Sequence, residues 1–94
     1  MSKVLIRSGV GMNPESCEVL STDEATKVAF EQIQMLAIDV DNAEELVVSF
    51  ADILELMRLV LKNKNIDPVN LFSAIEQLKA VQGTFDQKIA IQEQ

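Results

Sequence analysis

The stretch AEELVVSFADILELMRLVLK, Ala43–Lys62, decides the fold. It is unbroken and carries apolar side chains on nearly every face, which predicts one long helix that must be covered on several sides. A single carboxylate, Asp52, sits in its middle among Val48, Phe50, Ala51, Ile53 and Leu54. An ionised carboxylate in such surroundings requires a cation, a hydrogen-bond donor or a raised pKa.

Asn42 stands three residues before Glu45, a spacing that starts this helix, and Lys62, Asn63, Lys64 and Asn65 close it with positive charge suited to its dipole. Upstream, Ser21 and Glu24 form a capping box, so a first helix begins at Thr22. Ala25, Val28, Ala29, Ile33, Leu36 and Val40 recur at helical steps as one apolar stripe, and the polar break Asp39–Asn42 ends that helix near Ile38. Two helices joined so briefly pack antiparallel.

Asp67 and Pro68 start a third helix, with Leu71, Phe72, Ile75, Leu78 and Val81 as its predicted buried stripe and Gly83 as a left-handed cap. The tail Phe85–Ile91 is apolar enough to pack back on the body. Val4, Leu5 and Ile6 read as a short strand or arm, followed by Gly9, Gly11, Asn13 and Pro14. The expected fold is all-α: an antiparallel helical hairpin plus a third helix, assembled into an oligomeric helical bundle. Residues 1–20 form the arm and residues 21–94 a single helical domain.

The chain has 94 residues, enough for one small domain, and 48% of them are hydrophobic, as in a globular protein. A lone chain of this size buries only about 60–65% of its surface. With four Phe and neither Trp nor Tyr to build a core, self-association into a dimer or higher homo-oligomer is expected. The net charge of −7 opposes general binding to nucleic acid or anionic lipid. Cys17 is the single cysteine, which excludes an intramolecular disulfide and fits a reducing cytoplasm. Ser49, Asp52, Glu55 and Arg58 interrupt the longest apolar run, and no secretory h-region opens the chain, so neither a membrane span nor export is indicated.

Glu31 and Gln34 are three apart on helix one, while Glu45, Ser49, Asp52 and Glu55 descend one face of helix two. Should these faces meet, they cluster oxygens of the type that hard divalent cations such as Mg²⁺ bind. Gly9 and Gly11 are only a fragment of a phosphate-binding loop, and the absence of His excludes histidine-based acid–base and zinc chemistry. Asp41, Glu44 and Glu45 suit a helix N-terminus, and Lys62 and Lys64 suit a C-terminus. Met35 and Met57, with Phe30, Phe72 and Phe85, are expected in the core.

The order of segments is more specific than any one of them: capping box, helix with Glu31, loop, helix with FADILEL, NIDP, third helix, then VQGTFDQKIAI. From Ser21 to Ile91 this resembles the MazG-like all-α nucleotide pyrophosphohydrolases, and VLIRSGV at Val4–Val10 looks like a worn copy of that family's N-terminal stretch. The resemblance implies Mg²⁺-dependent hydrolysis of nucleoside triphosphates to monophosphate and pyrophosphate. It places the metal ligands at Glu31, Gln34, Ser49 and Asp52, with Glu45 and Glu55 as substitutes and Lys79 and Lys88 as phosphate contacts. Two of the four expected carboxylates are thus replaced, by Gln34 and Ser49. Each replacement removes a full charge from a cage that works by concentrated negative charge. The resulting expectation is a family member with weakened or lost hydrolysis. The alternative is a non-catalytic helical oligomer that binds a nucleotide or a protein, in which Gln34 or Lys27 satisfies Asp52.

Overall fold

The computed structural model describes residues 3–9, 17–36 and 42–92. Among them the chain forms three helices, α1 (Thr22–Leu36), α2 (Ala43–Asn63) and α3 (Val69–Gln82), and no strand. The predicted end of helix one, near Ile38, lies outside the described residues.

The helix starts follow from local chemistry. Ser21 Oγ accepts from the Glu24 amide at 3.2 Å, while the Glu24 carboxylate accepts from Lys3 Nζ at 3.0 Å and so ties the arm to the cap. Asn42 Oδ1 accepts from the Glu45 amide at 2.9 Å. Asp67 Oδ1 accepts from the Val69 amide at 3.0 Å, with Pro68 already helical. Beyond the last turn of α2, the Ile66 amide donates to Leu61 O and the Asn65 amide to Lys62 O. This double closure is a Schellman motif, and Asn65 supplies the left-handed residue at φ 62°. Asparagine tolerates that conformation better than other side chains, so the stop is built into the backbone as well as the lysine charges.

α1 and α2 pack against each other around Ala29, Leu56 and Val60, with Leu5, Ile33 and Leu36 against this cluster. Ala29 is 0% exposed, and such a small side chain lets the two backbones approach closely. The start of α1 is joined to the end of α2 by Asn63 Nδ2 donating to Thr26 Oγ1 at 3.0 Å, while the buried Thr26 hydroxyl donates to Thr22 O.

Of the two readings of Val4–Ile6, the arm is the one present: its backbone partner is a side chain, with the Leu5 amide donating to Gln32 Oε1 at 2.8 Å and Gln32 Nε2 donating to Leu5 O at 3.0 Å. Other sequence expectations are corrected. α3 packs against neither other helix, so Phe72, Ile75, Leu78 and Val81 are exposed and Leu71 only half-buried. The tail does not fold back, and Phe85 is 97% exposed. Met35 and Phe30 also face outward. For α1 and α3 the physical reason is the same: periodicity tells which face of a helix is apolar, not whether its own protomer supplies the cover. The radius of gyration, 16.4 Å, exceeds the value of about 12 Å for a compact chain of this length.

Candidate functional site

Of the three ways to satisfy Asp52, a cation is the one present, and the arm supplies it. Arg7 Nη2 and Nε donate to Asp52 Oδ1 at 2.7 and 3.2 Å. The Asp52 side chain is 37% exposed, so this pair stands at the protein's surface edge, where solvent screens it. The Asp52 hydrogen bond and charge hold the Arg7 guanidinium above its already high ordinary pKa. Gln34 and Lys27 are not the donors. Leu5 and Arg7, two apart on an extended chain, project to the same side. Leu5 enters the α1–α2 core and Arg7 reaches Asp52.

One turn on, Arg58 Nη2 and Nε donate to the Glu55 carboxylate at 2.6 and 3.0 Å. The hydrogen bond from Arg58 lowers the Glu55 pKa below its ordinary value; burial opposes this, and the charges of Arg58 and Arg7 add smaller contributions in the lowering direction. A carboxylate with a depressed folded-state pKa stabilises the fold above its ordinary pKa, and the contribution is lost as pH falls through the lower value. Glu55→Gln should therefore lower the melting temperature slightly at neutral pH and make no difference well below pH 4.5. Both side chains are more than a third exposed, so salt should shrink the neutral-pH gap. A pH-independent gap in thermal melts would show that the ion pair is not its cause.

A cleft of about 710 Å³ opens between the arm, α1 and α2, lined by Arg7, Gln32, Asp52, Glu55, Leu56 and Leu59 among others. The residues drawn together here are only part of the predicted set. Asp52 and Glu55 share the cleft, whereas Glu31, Gln34, Ser49, Glu45, Lys79 and Lys88 do not line it. The phase of α1 explains Glu31. Ala29 is sealed against α2, and two residues further, at roughly 100° each, Glu31 lies on the far side of α1 and is exposed. Gln34 and Glu45 are exposed too, Ser49 is half-buried, and Lys79 and Lys88 sit in the exposed α3 and tail. Gln32, which sequence reasoning missed, is the α1 residue facing this cleft; its place on the flank of the Ala25, Ala29, Ile33 stripe is the signal that could have found it.

Among the described residues no three His, Cys, Asp or Glu side chains form a group that could hold a metal ion. The donor chemistry agrees, since Mg²⁺ needs several converging oxygens and the cleft's two carboxylates are each neutralised by an arginine. These side chains, as arranged in one protomer, do not fit a Mg²⁺ cage. No helix among the described residues is long and apolar enough to cross a membrane. Comparison with protein-family models, characterised proteins and solved structures finds no match.

Proposed function

We propose that this chain is a helical assembly domain of MazG-like architecture in which Mg²⁺-dependent nucleotide hydrolysis has been lost. What carries the reading is Asp52, the one cleft residue at a ligand position implied by the resemblance: its partner is Arg7, and Glu31 lies on the far side of α1. A fixed guanidinium beside a carboxylate occupies the place and charge that a divalent cation would need. The Thr26–Asn63 bond between the start of α1 and the end of α2 supports the antiparallel hairpin. The apolar surface left open on α2 and α3 supports action through association with further copies of the chain.

The cleft itself favours a second reading, retention of a nucleotide without its hydrolysis, because about 710 Å³ falls within the usual size of small-molecule sites. Arg7 is then the phosphate contact, released from Asp52.

Incubation with a panel of nucleoside triphosphates and Mg²⁺ should yield no pyrophosphate above background, for the native chain and for Asp52→Asn alike. Mg²⁺-dependent release that Asp52→Asn abolishes would overturn the proposal. Thermal shift with the same nucleotides separates the two readings, since a ligand held only by the folded state raises the melting temperature.

A further inference from the structure

α2 carries two apolar stripes, and only one is used. Ile53, Leu56 and Val60 belong to the stripe turned toward α1, where Leu56 and Val60 are buried. The other runs through Val47, Phe50, Leu54, Met57 and Leu61, in alternating steps of three and four. That spacing is the seam of a helix that packs along another helix. Val47 is 69%, Phe50 54% and Leu54 47% exposed.

We propose that this second stripe of α2 is the contact surface for a second copy of the chain, the two α2 helices running antiparallel across a two-fold axis at Leu54. The proposal rests on the self-association reading above and names its surface. Area argues for an occupant of protein size. The accessible surface is 8352 Å², against about 5400 Å² for a folded monomer of this mass. The excess of roughly 3000 Å² per chain, shared among α2, α3 and the tail, more than covers the ~1000–2500 Å² that each partner of a permanent dimer buries.

Charge fixes the direction. Glu44 stands at the start of α2 and Arg58 and Lys62 near its end, on the same flank of the stripe and all exposed. Antiparallel pairing sets each acidic end beside the other copy's basic end, whereas parallel pairing sets like against like. A two-fold axis also makes the contact self-complementary, so one patch serves both copies and the assembly closes. Beside the seam, a groove of about 410 Å³ between Ala51, Leu54 and Arg58 of α2 and Pro68, Leu71 and Phe72 of α3 offers room for an apolar side chain of the second copy.

Sedimentation equilibrium of the full chain should give a dimer, and Leu54→Glu, which puts two carboxylates face to face at the axis, should give a monomer with its helical circular dichroism intact. Leu54 is outside the α1–α2 core, so loss of helix is not expected. In a Cys17→Ser background, Leu54→Cys should form a disulfide-linked dimer on mild oxidation. Val47→Cys should not, because antiparallel pairing leaves its two copies about 20 Å apart along the axis, beyond the Cα separation of about 7 Å that a disulfide can bridge. Efficient crosslinking through Val47→Cys, or none through Leu54→Cys, overturns the antiparallel seam. A dimeric native chain that stays dimeric with Leu54→Glu overturns this surface alone. A monomeric native chain overturns the self-association reading together with it.

Discussion

Leu56→Ala is expected to lower the unfolding free energy by about 2–4 kcal/mol, the usual loss when a buried leucine is cut back and the site only partly collapses. Leu56 is 8% exposed and sits in a cluster with only Ala29 and Val60 as fully committed partners. A small domain holds the lower part of the common range of about 5–15 kcal/mol, so this one change should consume much of what the fold has. Urea titration followed by far-ultraviolet circular dichroism reads the effect as a lower midpoint. A loss under about 1 kcal/mol would mean that the α1–α2 contact is not where the stability of the chain resides.

Ala29→Leu should cost about 1–3 kcal/mol by the opposite mechanism, overpacking. Ala29 is completely covered, and a branched side chain there must push α1 away from α2 or take a strained rotamer. Spreading the helices would also lengthen the Thr26–Asn63 hydrogen bond, which joins the same two elements. The variant should therefore melt earlier and lose amide protection along the facing turns of both helices. A neutral or stabilising result would show that the helices are spaced widely enough to accept added volume, contrary to the close approach that an alanine at 0% exposure indicates.

The helices were legible in the sequence because their signals are local. Ser21, Asn42 and Asp67 each cap the turn that follows them, and such bonds span two or three residues. That Asp52 needs a cation, a donor or a raised pKa was equally legible from its apolar neighbours. The identity of that cation was not, because Arg7 is 45 residues away in the chain and reaches Asp52 only through the placement of the arm. The candidate site is drawn together only in part. The spacing of Glu31 and Gln34 points to a shared face of α1, while the stripe of Ala25, Ala29, Ile33 and Leu36 fixes the phase of that helix and puts Glu31 opposite it. α3 shows the converse. Its apolar residues were readable, but neither α1 nor α2 covers them.

Gln32 grips the amide and the carbonyl of one arm residue at once, as a neighbouring strand would. Such a two-point hold recognises main chain, so it adds to the anchoring of the Leu5 side chain in the α1–α2 core without depending on it, provided position 5 keeps an N–H. What the hold does fix is the count of residues that follow. One residue inserted between Leu5 and Arg7 would turn the guanidinium to the opposite side of the extended arm, leaving Asp52 to find its counter-charge from solvent. The arm thus works as a ruler, with its zero mark at Gln32 and its reading taken at Asp52.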